Sequence, residues 1–250
     1  MARIDDYLEE ALRLLPPKPD DTAKQDLKKR YSELVSQKVA LALAEELRQR
    51  GLPETRPAGE GDLGDSGAER QMAGGLGAKK VDVTWATEES GLLLAISIKT
   101  INFRDTRTRN FQKNLNNRRG DMLIEGVTLH RRFPYAILAG FFFLDKGAAV
   151  DGTERRKSTF RNAHNRLQLF TGRNDPAGRE EQFERFYLIL LDATPAAVTL
   201  RPFAVGAPSD ELQMGEILDD LLRLVAQRNP DFYEFVEGEN KGEGYLQAAY

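Results

Sequence analysis

Apolar side chains recur at three- and four-residue spacing over residues 4–15, and again through Leu27, Tyr31, Leu34, Val35, Val39, Ala42 and Leu43. That period marks two amphipathic helices. Pro16, Pro17 and Pro19 stop the first, because proline lacks the amide a helix interior needs. Asp20, Asp21 or Thr22 can cap the second, which should run to about Arg50 with Gly51 as its stop. Residues 51–78 show no sustained period and are rich in Gly, Pro and acids, so a long loop with at most one short strand is expected there. Two β-rich runs follow, at 79–86 and 92–101, separated by a polar turn that ends in Gly91, which predicts a hairpin.

Farther on, the pattern predicts a basic helix from about Thr108 to Arg132, an almost wholly apolar strand over 135–144, and a second basic helix over 153–170. A buried strand over 186–192, an edge strand over 197–203 and an amphipathic helix from Ser209 to Gln227 complete the series. The fold expected is α/β: residues 1–20 as an N-terminal helical extension, 21–230 as one domain, and 231–250 as a loosely held acidic tail. The longest apolar runs fall far short of the roughly 20 residues needed to cross a bilayer. The N-terminus lacks a secretory pattern, so a cytoplasmic protein without membrane partners is expected.

Composition narrows the chemistry. With no cysteine and only His130 and His164, a thiolate nucleophile and a Cys- or His-rich metal site are excluded. The net charge of −3 is an average over unlike segments. Residues 1–98 hold 14 basic and 18 acidic side chains, residues 99–166 hold 15 and 6, and residues 167–250 hold 7 and 15. A basic middle third in an acidic protein points to a local anionic partner.

The chemistry-bearing pattern lies on the hairpin. Asp82 sits between Val81 and Val83, and Ser97-Ile98-Lys99 ends the second run after 14 intervening residues. Side chains i and i+2 share a face of a strand, so Ser97 and Lys99 point the same way, and the hairpin brings Asp82 beside them. In this order of elements, the pattern resembles the core of the PD-(D/E)xK nuclease superfamily, which includes many restriction endonucleases, over about residues 21–144. The resemblance implies a restriction-endonuclease-like core: a central mixed sheet flanked by helices, with the long N-terminal helix alongside.

Two positions depart from the family pattern: Val81 stands where its name has Pro, and Ser97 stands where it has an acid. Some members with a small polar residue there recruit a carboxylate from a neighbouring helix. Glu33, on the long helix, ranks first as that carboxylate, ahead of Glu46, the Asp121 and Glu125 pair, and Glu69. The resemblance implies that Asp82, Glu33 and the Ile98 carbonyl hold Mg²⁺, for which Mn²⁺ can substitute. Lys99 would position the attacking water and offset charge on the scissile phosphate, with Ser97 beside it in the catalytic set.

Lys and Arg neutralise phosphates, and Asn can pair with base edges. The candidates for contact with double-stranded DNA are Lys79, Lys80, Arg104, Arg107, Arg109, Lys113, Asn114, Asn117, Arg118 and Arg119, and between Arg104 and Arg119 the single interrupting acid is Asp105. Lys79 and Lys80 follow a Gly-rich stretch, 74–77, that can bring amides near a phosphate. The expectation is a Mg²⁺-dependent DNA endonuclease, a restriction enzyme or other prokaryotic defence nuclease, working as a homodimer because two strands call for two sites. The alternatives are a repair or structure-selective nuclease, an RNA nuclease, and a DNA-binding protein that has lost catalysis.

Overall fold

The computed structural model describes residues 3–58, 71–74 and 77–249, with 71–74 and 77–79 described by their backbone alone. Glu69 and part of the Gly-rich stretch before Lys79 lie outside the described residues. The two N-terminal helices form as their periodicity predicts: α1 spans Arg3–Arg13 and α2 spans Gln25–Gln49. α1 is no appendage, since Ile4, Leu8 and Leu12 are fully buried in the same core as α2. Burying each such side chain stabilises by about 1.5–3 kcal/mol.

A short antiparallel pair, β1 (Gln71–Gly74) and β2 (Gly77–Lys80), precedes the hairpin of β3 (Val83–Thr87) and β4 (Gly91–Ile101). Gly91 closes that turn at φ +69°, where any side chain would also crowd the Phe133 ring. After β4 come α3 (Leu115–His130), β5 (Ile137–Asp145), α4 (Thr159–Leu167), β6 (Arg185–Asp192), β7 (Thr199–Ala204), α5 (Met214–Arg228), β8 (Tyr233–Val236) and β9 (Tyr245–Ala248). The central sheet has five strands in the order β3-β4-β5-β6-β7. β4, β5 and β6 run parallel, and the two outer strands are antiparallel to their neighbours, so the fold is α/β with a mixed sheet.

The sheet is covered on both faces, which explains why β5 and β6 carry unbroken apolar runs. α1, α2 and α5 pack on the face that carries Ile96, Ile98, Phe141 and Ile189. α3 and α4 pack on the face that carries Ala95, Phe142, Leu188 and Leu190. Strand alternation therefore turns Ser97 and Lys99 toward α3, and away from α2.

Several boundaries differ from expectation. α3 begins at Leu115, after a single 3₁₀ turn, and not at Thr108. Residues 103–111 form a loop instead, which moves Arg109 off the expected helix. α4 is shorter than expected and is capped by Ser158, whose side chain accepts from the Arg161 amide. α5 starts at Met214 with a capping box between Gln213 and Glu216, and not at Ser209. The C-terminal residues, expected to be loose, form the antiparallel pair β8–β9.

Buried charge fastens that pair. Arg50 is 1% exposed and donates to Glu46 at 2.6 Å, to Asp219 at 2.8 Å and to the Gly244 carbonyl at 3.3 Å. Asp219 in turn accepts from the Gly242 and Gly244 amides at 2.9 and 3.0 Å. Every partner in this cluster is hydrogen-bonded, which is the condition for burying charge without a large penalty. Glu46 is therefore a structural acid and takes no part in the site.

Both histidines are buried and serve the fold. His130 bonds Glu184 at 3.2 Å. The Gly206 amide donates to His164 Nδ1 at 3.1 Å, and burial pushes the His164 imidazole down to about 4, so it is neutral at neutral pH.

Candidate active site

The ladder between β3 and β4 opens at its last step. Val83 pairs with Ile96, but Asp82 lies just outside β3, in the break after β2. Its carboxylate takes over the ladder's role by accepting from the Ile98 amide at 2.6 Å. That bond pins Asp82 beside the end of β4, where Ser97 and Lys99 share its face. Lys99 Nζ lies 3.7 Å from Asp82 and donates to Ser97 Oγ at 2.8 Å. Ser97 thus orients the lysine.

The second carboxylate comes from α3. Glu125 Oε2 lies 3.6 Å from Lys99 Nζ, and its side chain is only 3% exposed. Met122 and Leu129, three residues before it and four after it, are buried against the sheet, so Glu125 stands on the inward face of the helix. Two carboxylates and one lysine share this small volume.

Glu33 lines the same cleft but is 65% exposed and faces Lys29 at 3.8 Å. Its helix packs on the opposite face of the sheet from Ser97 and Lys99. Asp121 is also in the cleft, exposed and 3.9 Å from Arg118. Of the candidate carboxylates among the described residues, Glu125 is the one in ion-pair contact with Lys99.

The trio opens onto a cleft of about 1000 Å³ between α2, the end of β4 and α3. Among the described residues, seven basic side chains line it against five acids: Lys28, Lys29, Lys80, Lys99, Arg104, Lys113 and Arg118 against Glu33, Asp82, Asp105, Asp121 and Glu125. Asp82 and Glu125 converge on Lys99, and Asp105 is bonded to Lys113 at 2.6 Å, which leaves the rim positive. Asn114 also lines the cleft. Arg107 lines a neighbouring depression, Arg109 and Asn117 are exposed, and Arg119 stacks over Phe170. The Lys79 side chain lies outside the described residues.

No group of three or more His, Asp or Glu side chains suited to a metal is assembled among the described residues. Mg²⁺ needs less, since it commonly binds through one or two carboxylates and keeps several waters. The Asp82 and Glu125 carboxylates, with the Ile98 peptide held against Asp82, are hard oxygen donors of that kind. The donor set fits a divalent hard cation.

No protein-family model, no curated protein and no solved structure matches this chain.

Proposed function

We propose that the protein is a metal-dependent nuclease that hydrolyses phosphodiester bonds in DNA. The supporting observation is Lys99, flanked at 3.7 and 3.6 Å by Asp82 and Glu125 within a cleft whose rim is basic. This arrangement also supports a restriction-endonuclease-like core, with the acid missing at Ser97 supplied from α3. Asp82 and Glu125 would hold Mg²⁺, with the Ile98 carbonyl as a further candidate oxygen donor. The chemistry that Mg²⁺ supplies when bound is Lewis-acid activation of water and neutralisation of charge at the phosphate.

The chain's own groups do the rest. The Ile98 amide fixes Asp82, and Ser97 fixes the Lys99 ammonium. Lys99 orients the attacking water and offsets the negative charge that grows on the phosphate oxygens. Lys80, Arg104 and Arg118 on the rim hold the flanking phosphates. Cutting both strands of a duplex calls for two such sites, and so for a second copy of the chain. Among the described residues no helix is long and apolar enough to cross a membrane.

Purified protein incubated with supercoiled plasmid should nick and linearise it in Mg²⁺ or Mn²⁺, and leave it intact in EDTA. Intact plasmid, linear duplex, branched DNA and RNA under all metal conditions would overturn the reading. Cleavage restricted to branched DNA or to RNA would reassign the substrate. DNA binding in EDTA without cleavage in any metal would favour a non-catalytic binding protein, the reading that Ser97 in place of an acid supports.

A further inference from the structure

The loop that follows β4 is held in one shape by an acid. Asp105 Oδ1 accepts from the amides of Arg107 and Thr108 at 3.2 and 2.9 Å and from the Thr108 hydroxyl at 3.1 Å. Its Oδ2 takes Lys113 Nζ at 2.6 Å. The Lys113 ammonium, with the Thr108 amide, holds the Asp105 carboxyl well below the usual carboxylate range. Its backbone closes the loop as well: the Asp105 amide donates to the Asn110 carbonyl at 2.9 Å, and its carbonyl accepts from the Arg109 amide at 2.8 Å. Arg109 sits at φ +52°, a conformation a non-glycine residue keeps only when its surroundings impose it.

Beside this loop lies a second depression of about 560 Å³, which shares Asp105, Thr106, Asn110 and Lys113 with the first. Arg107, Gln112, Asn116 and Arg166 line it, so the loop, the start of α3 and α4 all contribute. Arg166 is fixed by a 2.8 Å bond to Asn116 Oδ1, so the two basic segments share one wall. The Gln112 amide nitrogen is buried and has no acceptor among the described residues, and Arg107 has no ion pair among them. Asp105, the one acid in the lining among the described residues, has both oxygens occupied. The depression therefore offers donors and positive charge, and asks for an anionic acceptor.

We propose that this depression is an anchoring subsite for a backbone phosphate of the nucleic-acid strand, beyond the one that is cut. The inference rests on the nuclease reading for the identity of the ligand. Two guanidinium groups and an unpartnered amide N–H, beside an acid whose oxygens are already taken, favour phosphate oxygens over base edges, which present donors as well as acceptors. Lys113, common to both clefts, lies between the reacting phosphate and the anchored one.

The test is fluorescence anisotropy of labelled duplexes of several unrelated sequences, titrated in EDTA at a series of salt concentrations. The Arg107→Ala/Arg166→Gln double variant should bind all of them about 10-fold more weakly, with the log–log salt slope smaller by about 1, as expected for one lost phosphate contact. Gln112→Glu, which places a carboxylate inside, should weaken binding with the same lack of sequence preference. Melting midpoints equal to the parent's establish that both variants fold. Parent-like affinity and slope in the two folded variants would overturn the subsite, as would a loss confined to one sequence. If instead the parent binds and the variants do not, but no metal gives cleavage, the subsite stands and the nuclease reading falls. A parent that binds no duplex overturns both.

Discussion

Glu125→Gln should lower the rate of metal-dependent DNA cleavage by about 100- to 1000-fold, the range seen when one preorganised charge-stabilising group is removed. The substitution keeps the shape and hydrogen-bonding reach of the side chain and removes the negative charge that a divalent cation needs. Raising Mn²⁺ should recover part of the loss. Lys99→Ala should lose as much or more and recover nothing with metal, since a missing ammonium is not replaced by tighter metal binding. Glu33→Gln should lose far less than Glu125→Gln, because Glu33 is exposed and paired with Lys29. Single-turnover cleavage under saturating protein checks all three. If Glu33→Gln abolishes the reaction and Glu125→Gln does not, the acid has been misassigned.

The second large effect concerns stability. Glu184 is fully buried and accepts from Arg173 at 2.9 Å, Arg228 at 2.7 Å, His130 at 3.2 Å and the Leu138 amide at 2.7 Å. It joins the end of α3, the entry to β5, the start of β6 and the end of α5. Glu184→Gln leaves two guanidinium groups with no buried anion between them, and breaking a buried pair in this way costs about 3–5 kcal/mol. Urea unfolding should report that loss, and a change below about 1 kcal/mol would show that the cluster relaxes without strain.

Burial works to raise the Glu184 carboxyl, but His130, Arg228 and the Leu138 amide outweigh it and hold it below the usual carboxylate range. A depressed folded value means that the stabilisation is complete above the ordinary glutamate value of about 4.3 and is lost as pH falls through the folded one. The parent should therefore lose stability on acidification below that point through this group, and the glutamine variant should not.

Much of the sheet was legible because its signals are local. The Gly91 turn, the alternation around it and the uninterrupted apolar runs of β5 and β6 leave few other conformations. The end of the loop, residues 108–111, was not legible, because its structure comes from side chains that take the backbone's place. Asp105 and Asn110 bond neighbouring amides, and a polar stretch without a proline then reads as helix. The C-terminal pair was missed for a different reason: Gly242 and Gly244 look like tail residues until buried Arg50 and Asp219 bind their backbone.

At the site, strand alternation placed Lys99 beside Ser97, whereas Asp82, expected inside the strand, lies in the break between β2 and β3 and is held by the Ile98 amide. Glu125 had a signal too, since its spacing from Met122 and Leu129 puts it on the inward face of α3. Glu33 outranked it on the resemblance to the nuclease superfamily. The decisive constraint was which face of β4 carries Lys99, and that follows only once α2 and α3 are known to lie on opposite sides.

The most direct test is a crystal of the protein soaked in Mn²⁺ and measured at the manganese absorption edge. The predicted result is an anomalous peak in contact with both the Asp82 and Glu125 carboxylates, which disappears in crystals of Glu125→Gln. Clear density for these side chains with no anomalous peak between them, or a peak that ignores the substitution, would contradict a metal-dependent nuclease site here.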